Sequence, residues 1–421
     1  MIDRTLAPKI ETIERLDLLP PLHRKITEKV PLFWIQDGAG EAFKLDLQFN
    51  AGSVNTDKLV ATFTFDLLLA GTATQNSQEI NEAIDELGGF VGVEVTQEDA
   101  TLSIFGLVEH FEGILSCVMT AVKDAQFPAD ELKQQIETKK KAFLTNQQKV
   151  SVLARRAFKL GLYGDTPYGR VTELSDYDTI SQEKLRDFHL SNVLNGLQRV
   201  SLIGAVSHAQ VDFLTQQVEG LCGTRFQGAS EVFNAKTGRI AVAKPDAVQS
   251  AIRIGCLLFN RTHPDYIPFS ILNTVLGGYF GSRLMTSIRE EKGYTYGIGS
   301  GIAQTLDSGY FFISTEVGKD VTEDALEAIK AEMVRLQEEP ISKAELELVK
   351  NYSTGQLLKA ADGPFALMER YQTVERYGMT LNYYNEVLKA LHTITPNRLQ
   401  ELAQQYLNWE EMLVVVAGGE G

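Results

Sequence analysis

The chain of 421 residues carries 40 Lys+Arg against 55 Asp+Glu, a formal net charge of −15, with 44% hydrophobic and 23% charged residues. That balance fits a folded, soluble protein of roughly two to four domains and argues against wholesale disorder. An isoelectric point near 5.0 speaks against nucleic acid or an anionic membrane surface as the main partner.

The first residues, MIDRTLAPKIETIERLDLLPPLHRK, alternate charged and apolar side chains. They lack the apolar stretch of about 7–15 residues of a secretory signal, so a cytoplasmic location is expected, or a periplasmic one if a leader has been removed. Three scattered cysteines, Cys117, Cys222 and Cys256, give no disulfide framework and fit a reducing compartment. The longest apolar run, Phe65–Ala70 interrupted by Asp66, is too short to cross a bilayer.

Strands are expected over Val30–Ile35 and Phe43–Phe49, with Asp37–Gly40 turning between them. Helices over 57–70 and 76–88 follow, the second capped by Asn76 or Ser77 and stopped at Gly88-Gly89. Strands at 90–97 and 100–108 precede helices over 110–125, 128–148 and 150–163, a strand at 199–204 and a helix at 208–220. The same order then returns. Strands at 239–243 and 251–260 lead to helices at 266–277 and 282–291, and strands at 294–303 and 309–317 follow. Helices at 321–338, 342–361, 364–377 and 396–407 lead to a last strand at 412–416.

The chain therefore reads as one unit written twice. The expected fold class is α+β, with two related domains, each a mainly antiparallel sheet with helices packed on one face, closing like a clam-shell. The domains are placed at 1–222 and 239–421, joined by a linker over 223–238 where Gly223, Gly228, Ala229, Ser230 and Gly238 cluster.

Chemistry is scarce by motif. The nearest two of the six histidines, His189 and His208, lie nineteen residues apart, so HExxH and HxxEH metal helices are absent. No GxSxG elbow, P-loop or strand-borne GxGxxG occurs. Gly277-Gly278-Tyr279-Phe280-Gly281-Ser282-Arg283 is a glycine-rich turn that could be a backbone donor nest or a helix-joining loop. Lys139-Lys140-Lys141 is expected to be a solvated helix face. Tyr168 and Arg170 are expected to brace the loop after a long helix.

The segment GGYFGSRLMTSIREEKGYTYGIGSG, Gly277–Gly301, resembles the second half of insulinase-like (pitrilysin-type, mitochondrial processing peptidase-like) zinc peptidases. Phe65–Thr72, Gly88-Gly89, Thr96–Thr101 and Tyr163–Arg170 are similar to features of that family's first half, in the same order. The resemblance implies that the family's HxxEH helix falls at Thr62, Phe65 and Asp66. Thr62 and Asp66 stand for the two His ligands and Phe65 for the general-base Glu, while the remote Glu ligand falls at Ala142. None of these substitutions leaves a zinc site. The resemblance also implies that Arg289 and Tyr296 reach toward a partner's zinc site, where a guanidinium and a phenol can donate to a peptide carbonyl or its oxyanion. Arg283, Gly277 and Gly278 would face substrate.

The implied function is a non-catalytic subunit of a heterodimeric zinc endopeptidase, not a zinc peptidase on its own. Its cofactor, zinc, would be carried by the partner and not by this chain. Its partners would be a homologous HxxEH-bearing subunit and a peptide or unfolded polypeptide, with a homodimer when alone. The alternative is a non-enzymatic peptide-binding or scaffolding protein of the same fold.

Overall fold

The computed structural model describes residues 13–36, 40–221 and 233–419. The first half contains β1 (Leu22–Lys25), β2 (Pro31–Ile35), β3 (Ala42–Phe49), α1 (Val60–Asp66), α2 (Ser77–Asp85), β4 (Phe90–Val95), β5 (Ala100–Leu107), α3 (Phe111–Lys123), α4 (Ala129–Asn146), α5 (Val150–Tyr163), α6 (Gln182–Phe188), β6 (Leu197–Ile203) and α7 (His208–Val218). The second contains β7 (Gly238–Val242), β8 (Gln249–Leu258), α8 (Tyr266–Asn273), β9 (Ile298–Gln304), β10 (Gly309–Gly318), α9 (Thr322–Glu338), α10 (Lys343–Lys359), α11 (Gly363–Glu375), α12 (Asn382–Thr393), α13 (Pro396–Tyr406) and β11 (Leu413–Ala417).

The strands form two sheets, ordered β1-β2-β6-β3-β5-β4 and β7-β11-β8-β10-β9. Leaving aside β1, the orders correspond strand for strand. Each sheet has one parallel pair, β2–β6 and β7–β11, among antiparallel neighbours. The internal repeat is therefore one of topology. Both sheets follow from period-two alternation. Phe43, Leu45, Leu47 and Phe49 of β3 are buried with Leu102 and Ile104 of β5 under α1–α3, whereas Lys44, Asp46 and Gln48 point the other way.

Capping signals are realised. The Asn76 carboxamide oxygen accepts from the Glu79 backbone N–H (3.0 Å) and the Glu79 carboxylate from that of Asn76 (2.9 Å), a reciprocal cap for α2. Gly88 (φ +67°) takes the left-handed turn that ends it. Several elements differ from expectation. The first helix is shorter, Val60–Asp66, because the chain turns at once, Leu67 N–H donating to Phe63 O and Leu68 N–H to Phe65 O. The helix expected over 282–291 is a wider π-helical turn at Met285–Glu291. Strand β1, exposed throughout, and helices α6 and α12 are additional to the expected elements, although α12 carries Tyr383, Tyr384, Leu388 and Leu391 at helical spacing. The expected turn at 37–39 and the linker residues 223–232 lie outside the described residues. The linker's end is not free: Phe233 packs edge-on to Tyr163 at 4.9 Å, and Lys236 N–H donates to Gly161 O (2.8 Å).

Each half also lends one helix to the other. Val150, Ala154, Phe158 and Leu162, on one stripe of α5, are buried with Ala251 of β8 and Leu413, Val415 and Ala417 of β11. Gly161 is where α5 seats on β11, since an added Cβ would fall 2.5 Å from Leu413 Cδ2. In return, Met368 of α11 packs with Phe33 and Ile203 of the first sheet, and Tyr371 meets Phe33 edge-on at 4.7 Å. The sheets' main helical layers thus lie on one face, while the facing sides are covered by exchanged helices.

Candidate functional site

Three places bear on function. The first is the α1–α4 crossing. Phe65 is buried in the first core, and Thr62 and Ala142 line a common cavity. Asp66 is held by the Lys139 ammonium at 2.6 Å, with the Gln135 amide at 3.3 Å. A phenyl ring, a hydroxyl, a methyl and one carboxylate already neutralised by lysine do not make a zinc ligand set. Among the described residues no three His, Cys, Asp or Glu side chains come together in a way that could hold a metal ion. Of the lysine run, Lys139 pairs with Asp66 and Lys140 with Asp178, while Lys141 is exposed. Spacing alone could not show that acids from α1 and from the 174–179 turn approach the face of α4.

The second place is the glycine-rich segment. Gly277 lies in a π-helical turn, Thr274–Gly278, packed against β9, where a Cβ would fall 2.6 Å from Ser300 Oγ; Gly278, its last residue, is exposed. Arg283 does not face an open site. Its guanidinium makes a bidentate pair with Glu345 of α10, Nε at 2.8 Å and Nη2 at 3.0 Å, and only 10% of the side chain is exposed. The pair fixes the segment on α10.

Ile288 anchors the Met285–Glu291 turn in the second core, which leaves Arg289 half-buried, its guanidinium 4.7 Å from the centre of the exposed Phe280 ring. Gly293 (φ +67°) reverses the chain toward β9. The Thr295 hydroxyl sits 2.7 Å from Glu316 O and 2.9 Å from Thr315 Oγ1, and accepts from Gly297 N–H (3.1 Å). The backbone on either side of Tyr296 is fixed, yet the Tyr296 side chain is 96% exposed.

The third place is the chamber between the facing sides of the halves, a cavity of about 630 Å³. Its wall of strand residues, Lys44, Asp46, Thr101 and Ser103 among them, is polar because these positions alternate with the core-facing ones. At its end sits Glu98, 4% exposed. The Glu98 carboxylate accepts from Tyr168 OH (2.9 Å), from Leu306 N–H (2.8 Å) and from Arg376, whose other nitrogen pairs with Asp99. Tyr168, Glu98 and Asp99 come from the first half, Leu306 and Arg376 from the second. The hairpin Thr96–Thr101 and Tyr168 carry a sequence signal; Arg376, 278 residues from Glu98, carries no local one.

The comparisons agree with this architecture. Residues 179–352 match the family model described as the peptidase M16 inactive domain. The chain is 23% identical over 361 residues to the uncharacterized zinc protease ML0855 of Mycobacterium leprae, covering 83% of this chain and 80% of that one. It is 22% identical to the uncharacterized zinc protease YmxG of Bacillus subtilis, covering 85% and 88%. In fold it is similar to a crystal structure of a peptidase M16 inactive domain from Pseudomonas fluorescens, with a TM-score of 0.87 and 23% identity over 96% of this chain and 99% of that one. A protease from Helicobacter pylori superposes with a TM-score of 0.81 at 15% identity, covering 95% and 100%. Together with the repeated sheet topology, the match over residues 179–352 supports an insulinase-like (peptidase M16) chain without the HxxEH zinc helix.

Proposed function

We propose that the chain is the non-catalytic subunit of a heterodimeric M16 zinc endopeptidase. The observation that carries this reading is Tyr296: a phenol almost wholly exposed between the hydrogen-bonded Thr295 hydroxyl and Gly297 N–H, with no fold-stabilising contact among the described residues to explain it. Arg289, on the same segment, presents a cation held over an exposed ring. Zinc in the HxxEH-bearing partner would polarise the scissile carbonyl and its attacking water. Tyr296 OH and the Arg289 guanidinium would donate to that carbonyl, and their bonds strengthen as negative charge develops on its oxygen. Peptide or unfolded polypeptide is the substrate class.

The test is co-expression with an HxxEH-bearing homologue and peptidase kinetics on Tyr296→Phe and Arg289→Ala. Each loss should lower kcat by about 10²–10³ with KM changing little, the signature of a donor used in the transition state. Unchanged turnover in both variants refutes the role. The polar chamber favours a second reading, a peptide-binding scaffold with no enzymatic partner. A metal-free, inactive complex with unrelated proteins, purified from the native cells, would decide for it.

A further inference from the structure

A second cavity, of about 770 Å³, lies among the start of α1, one face of α4, one face of α5 and the strip Arg170–Thr172. Its size falls within the range of roughly 300–1,000 Å³ usual for ligand sites. In a chain of net charge −15 its lining among the described residues holds six cations and no carboxylate. Lys139 and Arg156 are paired, with Asp66 and Glu173. The other four, Lys149, Arg155, Lys159 and Arg170, form no ion pair among the described residues. Their polar contacts are neutral: Lys149 donates to Asn146 Oδ1 (3.0 Å), Lys159 to Arg170 O (3.0 Å) and Arg170 to Thr56 O (3.1 Å). Burial holds the Lys159 ammonium below the ordinary lysine pKa. Like charges gathered in a concave site repel one another and raise the local concentration of anions.

The cations do not converge on one point. On α5 they follow Val152 at helical spacing: Arg156 and Lys159 lie on the stripe turned away from the second sheet, and Arg155 on its flank, within electrostatic reach of Arg253 of β8. Apolar groups stand between them: Leu59, Phe143, Val152, Val171 and the Tyr177 ring. Cations dispersed among apolar groups suit an extended ligand that alternates carboxylates with apolar side chains, whereas a compact phosphate would use a single focus. We infer that this cavity, at the face where the family's zinc residues are replaced, binds an acidic, apolar-containing peptide segment of another polypeptide. The inference is independent of the proposed heterodimer, because none of the four free cations belongs to the Arg289–Tyr296 segment.

The test is fluorescence polarisation with a labelled decapeptide alternating Glu with Val and Phe, titrated with the full chain. Replacing every Glu by Gln in the probe should weaken binding at least about tenfold, and so should raising NaCl from about 50 to 300 mM. Lys149→Glu with Arg155→Glu reverses two exposed charges with little risk to folding and should weaken binding by about tenfold or more. Lys159→Met should weaken it by a smaller factor, with an unchanged thermal transition as the check on folding. Equal binding of the Gln probe, or no effect of the double reversal, overturns the inference. Competition by pyrophosphate at the peptide's own concentration would also overturn it and assign the cavity to small polyanions. Self-association of the chain that the double reversal abolishes would overturn it in favour of a second copy as occupant.

Discussion

Replacing Arg376 by Leu tests what holds the halves together. The guanidinium is 27% exposed and faces carboxylates whose side chains are 5% and 10% exposed. Leucine keeps the aliphatic stem and removes the charge, leaving two buried acids without their cation. Breaking a buried pair in this way costs about 3–5 kcal/mol. Glu98 retains the Tyr168 hydroxyl and the Leu306 N–H, which places the expected loss near the lower end, about 3 kcal/mol. Glu98→Gln keeps an acceptor for Tyr168 and Leu306 and should cost about 1–2 kcal/mol. Because the two side chains touch, the double variant should lose less than the sum, with a coupling of about 1–3 kcal/mol. Urea unfolding followed by tryptophan fluorescence and far-UV circular dichroism gives the cycle, provided the two probes coincide. Small-angle scattering gives a second readout, since loss of the clamp should increase the radius of gyration. A change below about 0.5 kcal/mol for Arg376→Leu, within the range of ordinary surface substitutions, would refute the assignment of the cluster as a clamp.

Two further variants probe the exchange of helices and a buried titration. Phe158, 2% exposed, lies under the Arg253 guanidinium at 5.1 Å and meets Tyr310 edge-on at 6.0 Å. Phe158→Ala should cost about 3–5 kcal/mol and, if α5 couples the halves, lower one common transition; a separate early transition of the second half alone would show that the halves unfold independently. His189 is buried, its Nε2–H donating to Val122 O at 2.7 Å. Burial outweighs that bond and holds its pKa below the ordinary 6.5. Its neutral form therefore supports stability above pH about 6.5, and that contribution is lost as pH falls through the lowered folded value. Urea midpoints measured from pH 8 to pH 5 should fall less steeply for His189→Gln than for the parent chain. Equal slopes would place the acid sensitivity elsewhere.

Periodicity and capping chemistry made most elements legible before any coordinates. The alternation in Phe43–Phe49, the Asn76–Glu79 cap and the Gly88 stop are local instructions, and each is carried out where it is written. So is the repeated order of elements, which fixes the repeated sheet topology, and the loss of HxxEH, which is a matter of residue identity. A local pattern states that a face must be buried, but not against what. The stripe Val150, Ala154, Phe158 and Leu162 is equally apolar whether it covers its own sheet or the other one; only the tertiary structure sends α5 to β8 and β11 and brings α11 back in return. The same holds for charge. Arg283 reads as an open cation until Glu345 meets it, and Lys139 as a solvated one until Asp66 does. Arg376 carries no signal until the fold sets it beside Glu98 and Asp99. Coulomb and desolvation energies depend on distance in space, and sequence separation bounds that distance only within a helix turn or a hairpin.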